Sequence, residues 1–162
     1  MRRVAIAFLL TLAALNALAA EKWWDPYKRG TLAAQGSDWS TVANEMNRAI
    51  ALKPVEELAA KARSEIIVYV PHFWLGIAKY HLGDADGALN EWQVSQQQNV
   101  IQRTQYYADL RAWISRAQSA KAKTASEYSA KSRAAADDAL TRALGGQVEA
   151  VSAGADRTDG FR

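Results

Sequence analysis

The residues best suited to acid–base or metal chemistry are few and badly spaced for it. The two histidines, His72 and His81, stand nine residues apart near opposite ends of one predicted helix. Helical metal ligands sit three or four residues apart, on one face. The pair therefore suggests no shared metal, and His81, just before a turn, reads as a helix-end residue. Glu56 with Glu57, and Asp137 with Asp138, are adjacent carboxylates. Neighbours in a helix do not face each other, so both pairs read as solvated helical faces rather than as acid–base couples. No Gly-rich phosphate loop and no G-x-S-x-G elbow occurs, and the chain has no cysteine for disulfides, thiolate sites or lipid attachment. The expectation is a protein without enzymatic activity, cofactor or metal.

Side chains suited to binding are more abundant. Trp23 and Trp24 cannot both point inward from one helix, so one of them is expected at the surface beside Lys22, Lys28 and Arg29, where it could anchor a partner peptide. "SQQQN", residues 95–99, brings hydrogen-bonding side chains to the end of a predicted helix. The candidate partner-binding set is Trp23, Trp24, Lys28, His72, Lys79 and Gln98.

The elements that would position these residues are read as helical. Alanine is abundant and glycine falls at breaks. Asp25-Pro26 fits a helix start, with Tyr27, Gly30 and Ala34 on one face. "QGSD" breaks the chain, and Ser37 or Asp38 caps a second helix carrying Val42, Met46, Ala49 and Ile50, closed by Pro54. Residues 55–70 have helical composition, with Leu58, Ala62 and Ile66 at four-residue steps, and are expected to form an extra helix or an extension leading to a "VYVP" elbow. Pro71 opens the next helix. Gly83 ends it in the left-handed conformation, and Asp84 caps a following helix with Ala88, Leu89, Trp92 and Ser95 on its packed side. Gly76 marks a close helix approach. A further helix, with Thr104 as its cap, carries Tyr106, Leu110, Trp113, Ile114 and Ala117.

In this second unit Leu75-Gly76, Ala78, Gly83-Asp84, Ala88-Leu89 and Trp92 stand in the order and spacing of a tetratricopeptide repeat, and the chain resembles that family over about residues 22–100. Gly30, Asp38, Val42, Met46, Ala49 and Pro54 match in the first unit. The departures are Arg29 for the usual leucine, Lys79 for a large aromatic (with Tyr80 one residue late), Ser95 for alanine and Val100 near the expected closing proline. Gly30 and Gly76 lie 46 residues apart, against a family period of about 34, so roughly 12 residues are inserted, matching the irregular 55–70 segment. The resemblance implies an all-α fold of antiparallel helical hairpins. It also implies packing roles for Gly30, Leu75, Gly76, Ala78, Gly83, Asp84, Ala88 and Trp92, and a groove that holds a protein or peptide.

The expected organisation is a signal peptide over 1–19, a tetratricopeptide-like domain over 20–117, an Ala-rich helical extension over 118–151 and a disordered tail over 152–162. "MRR" followed by "VAIAFLLTLAAL" and "ALA" has the charge, apolar core and small residues of a cleavable leader, cut after Ala19 or Ala20. Export, with a Gram-negative periplasm as the destination, is the expected localisation. Losing Arg2 and Arg3 would leave 18 basic residues against 17 acidic ones and lower the formal charge from +3 to +1. A near-neutral chain is poorly suited to nucleic acid, which calls for a concentrated basic face. Two rival roles stay open: an envelope assembly adaptor acting through the Ala-rich helix, and a glycan-binding module using exposed tryptophans.

Overall fold

A computed structural model describes residues 21–155, with side-chain surroundings through residue 144. The expected leader and the last seven residues lie outside it. Among the described residues there are five α-helices, one short 3-10 turn and one two-stranded sheet, so the expected all-α class is corrected to a mostly helical fold with a small sheet. The order is α1 (Trp24–Gln35), α2 (Trp39–Leu52), β1 (Glu57–Ala62), β2 (Glu65–Tyr69), α3 (Pro71–His81), α4 (Ala85–Gln97), the 3-10 turn (Ile101–Arg103) and α5 (Tyr107–Ala155). No helix among the described residues is long and apolar enough to cross a membrane.

The helix boundaries follow local chemistry. Asp38 caps α2 by accepting the Thr41 N–H at 3.1 Å, and Asp84 caps α4 by accepting the Gly87 N–H at 2.8 Å. A Cβ on Gly87 would meet an Asp84 carboxylate oxygen at 2.0 Å, so a larger residue there would make the capping carboxylate shift. Gly83, at φ +90°, makes the left-handed turn between α3 and α4. Asp25 does not cap α1: the helix starts at Trp24, and no side chain bonds its first N–H groups. Thr104 likewise stands ahead of α5, where its hydroxyl accepts the Tyr106 N–H at 3.2 Å.

Helices α1 and α2 pack together, as do α3 and α4, and α2 also packs on α3. One core cluster gathers Tyr27, Val42, Met46, Ala49, Tyr69, Leu75 and Ala78; another gathers Phe73, Ile77, Ala88, Trp92, Ile101, Leu110 and Ala117. Glycines set the closest approaches. A Cβ on Gly76 would lie 2.2 Å from the Trp92 indole nitrogen, and one on Gly30 would lie 2.6 Å from the Met46 terminal methyl. Trp92 is fully buried, and its indole N–H donates to the Phe73 carbonyl at 3.1 Å.

Residues 55–70 contradict the expected extra helix. β1 and β2 form an antiparallel hairpin in which Ala60 faces Ile67, Lys61 faces Ile66 and Ala62 faces Glu65. Arg63 and Ser64 make the loop, with Arg63 at φ +56°. Burial alternates with period two: Ala60 and Ala62 are buried while Ala59 and Lys61 are exposed. Leu58, Ala62 and Ile66 share no face, because Ile66 is 74% exposed and Ala62 1%. The β-branched run Ile66-Ile67-Val68 supplies the strand preference that outweighs the helical bias of the alanines.

The chain divides into two compact units at Gln118/Ser119. Helix α5 continues through Ala155, so the first four residues of the tail expected to be disordered, 152–155, are helical, and the rest of that tail lies outside the described residues. Residues 121–144 are exposed on every face. An Arg142–Asp138 ion pair and alanine's intrinsic preference support the helix there.

Candidate functional site

A cleft of about 560 Å³ is built from α1, β2, α3 and the segment before α5. Helix α1 contributes Tyr27, Lys28, Thr31, Ala34 and Gln35; β2 contributes Ile67 and Val68; Trp74 and Tyr106 complete the wall. Tyr27 fixes the strand against the helix. Its buried hydroxyl donates to the Val68 carbonyl at 2.8 Å and accepts the Val70 N–H at 3.3 Å. Burial pushes its phenol well above the ordinary range, with the Val70 bond working weakly against it, so Tyr27 stays neutral. The β2 edge away from β1 has no second strand among the described residues. At the rim, the Lys28 ammonium pairs with Glu65 of β2 at 2.5 Å. Aromatic walls, one strand edge and a rim ion pair suit the binding of an extended chain. They bring together no nucleophile with a base.

Of the six candidate binding residues, only Lys28 lines this cleft. Trp23 and Trp24 are both half-buried, which corrects the expectation that one is exposed. Their rings meet edge to face at 5.7 Å. Trp23 also packs on Tyr69 at 4.6 Å and lies under the Lys53 ammonium at 5.3 Å.

His72, Lys79 and Gln98 instead belong to a polar cluster between α3, α4 and the approach to β1. His72 is buried, and its Nδ1 bonds Glu91 at 2.7 Å; Lys79 bonds the other Glu91 oxygen at 2.6 Å. Burial raises the Glu91 pKa, but those two bonds and the Lys79 charge outweigh it and hold the carboxyl below its ordinary value. Gln98 accepts the Glu56 N–H at 2.6 Å and donates to the Pro54 carbonyl at 3.2 Å, so it ties down the linker rather than lining a groove. His81 stacks face to face on Trp39, with ring centres 4.1 Å apart. The two histidines thus serve different neighbours.

Glu56 is the site residue that the sequence analysis missed. It is 3% exposed, not on a solvated face. One carboxyl oxygen accepts the Ser95 hydroxyl at 2.9 Å, and the other is buried without a protein partner. Burial raises its pKa to about 7, only partly offset by the Ser95 bond, the His72 charge and the His72 N–H. The available signal was Ser95 itself, a hydroxyl at a position where the repeat pattern has alanine. By contrast Asp137 and Asp138 are exposed, as read.

Comparison with protein-family models, with curated proteins and with solved structures gives no match to the chain.

Proposed function

We propose that the chain is a non-enzymatic, exported, tetratricopeptide-like protein that binds an extended protein or peptide segment in the α1–β2–α3 cleft. The observation that carries this reading is the cleft itself: an aromatic-walled trough running across the first helix of each pair, beside a strand edge. Two helix pairs, each joined by a three-residue turn and closed around a glycine, support the reading of α1–α2 and α3–α4 as antiparallel repeat hairpins. Three of the departures from the repeat pattern support it too, because each has a specific polar use. Arg29 bonds Glu21 and Glu45 across α1 and α2, Lys79 bonds Glu91, and Ser95 bonds Glu56.

Filling the trough tests the reading. Ala34→Trp places an indole where Ala34 now lines the wall, at a position that is only half-buried. A displayed random-peptide library panned on the wild type is expected to enrich sequences that bind Ala34→Trp at least about tenfold more weakly, a difference of about 1.4 kcal/mol. The thermal unfolding of the variant should be unchanged. No enrichment, or equal capture by the filled variant, overturns the reading.

One observation favours a second role, as an assembly adaptor acting through α5. Residues 121–144 are helical yet exposed all round, and helices of that kind draw most of their stability from a packed partner. Deleting residues 120–162 separates the two readings. The cleft reading expects the shortened chain to retain the library peptides. Loss of those peptides with an intact helical spectrum favours the adaptor.

A further inference from the structure

We infer that Glu56 is a proton-operated latch that fastens the β1–β2 hairpin to α4. The inference stands on the placement of the carboxyl and not on peptide binding. Glu56 immediately precedes β1 and is the last residue of the linker that Gln98 holds through the Pro54 carbonyl and the Glu56 N–H. Its side chain reaches Ser95, one turn back along α4 from Gln98. Linker and strand start are therefore pinned to α4 by three hydrogen bonds, one of which ends on a buried ionisable group.

The neighbours on every side leave an ionised Glu56 poorly compensated. From α3, His72 faces it, but the ring bonds Glu91 at 2.7 Å. From α4, Ser95 and Gln98 are neutral, and Glu91 has its charge taken up by His72 and Lys79. From α1 and β2, Tyr27 and Tyr69 are neutral phenols whose pKa values burial drives upward, with Glu56 adding to that rise. From β1, Glu57 turns outward to Lys53. Among the described residues no cation makes direct contact and one carboxyl oxygen has no hydrogen-bond partner, and the His72 backbone N–H in the first turn of α3 offsets the cost of ionisation only in part. The protonated acid suits this site. The carboxylate seeks water, which release of the linker and of the strand it leads into would supply. Because β2 lines the cleft, the same release would reshape the trough.

Amide exchange over residues 57–69 in the full chain tests the latch. Rates divided by their intrinsic values should show protection falling about tenfold or more between about pH 5 and about pH 8. In Glu56→Gln, which is neutral throughout, that fall should vanish. In His72→Gln it should persist, which separates Glu56 from the nearby imidazole. Equal wild-type protection at both pH values overturns the latch, as does an equal fall in Glu56→Gln. Carbon-detected titration of the wild-type Glu56 carboxyl needs no variant: a midpoint near neutrality supports the latch, and one in the ordinary carboxylate range overturns it.

Discussion

Trp92→Ala should destabilise the protein by about 3–5 kcal/mol, the range for emptying a buried aromatic site, read as a drop in the urea midpoint. The side chain is fully buried in the cluster formed with Phe73, Ile77, Ala88, Ile101 and Leu110, and it carries the bond to the Phe73 carbonyl. Such a loss is a large fraction of the roughly 5–15 kcal/mol that holds a typical domain together. Gly76→Ala attacks the same contact from the other side, because its Cβ would lie 2.2 Å from the indole nitrogen and 2.5 Å from Cδ1. The indole must shift inside a close-packed core, at about 1–3 kcal/mol. Alanine's helix preference returns about 1 kcal/mol. In a Trp92→Ala background the obstruction is gone, and Gly76→Ala should become neutral or stabilising. A double-mutant cycle is therefore expected to give a coupling of about 1–3 kcal/mol. Additive losses would mean that Gly76 is not held to glycine by this indole.

That contact was legible in the sequence because both partners carry their signal locally. A glycine inside a helical pattern, followed sixteen residues later by tryptophan on the packed side of the next helix, implies close approach whatever the fold's larger plan. The Asp38 and Asp84 caps and the left-handed Gly83 were legible for the same reason: each is decided within four residues. The hairpin was not. "ELAAKA" has the composition of a helix, and Ala60 and Ala62 mark the buried face with a side chain that is also the best helix former. The loop Arg63-Ser64 lacks the glycine or asparagine that announces a two-residue turn, although Arg63 takes a positive φ. Only the β-branched run after it pointed to a strand, and that run also fitted an elbow before Pro71.

Candidate site residues failed wherever their roles depend on long-range partners. Lys28 lines the cleft because β2 lies beside α1, a juxtaposition that the helical reading of 55–70 could not supply. His72, Lys79 and Gln98 were picked for polarity on the helices thought to form a groove. Their bonds instead run across to Glu91, and to the linker at Pro54 and Glu56. Glu56 was set aside by a rule about neighbours in a helix, applied to a segment that is not helical. Its one side-chain partner, Ser95, lies 39 residues away. The positions that depart from the repeat pattern proved more informative than those that match it: Arg29, Lys79 and Ser95 each mark where a polar contact replaces an apolar one.

Glu56→Gln should change sign with pH in its effect on global stability. The folded state raises the carboxyl pKa to about 7 from about 4.5, so it favours the protonated acid. For such a group the stabilising contribution is complete below the unfolded value. It declines as pH rises from about 4.5 toward about 7, where the unfolded chain has released the proton and the folded chain still holds it. Above that window it is constant, because both states are ionised. The full shift corresponds to on the order of 3 kcal/mol, and relaxation around a partly solvated carboxylate will reduce it. Glutamine does not titrate. At about pH 8 the variant should therefore be more stable than the wild type, by about 1–3 kcal/mol. At about pH 4 the order should reverse by about 1 kcal/mol, because the amide puts an N–H₂ group beside a buried position that has no protein acceptor. Urea unfolding followed by tryptophan fluorescence across this range measures both ends. Parallel stability curves for the two proteins would mean that Glu56 is as readily ionised in the folded chain as in the unfolded one, and that its burial is relieved without cost.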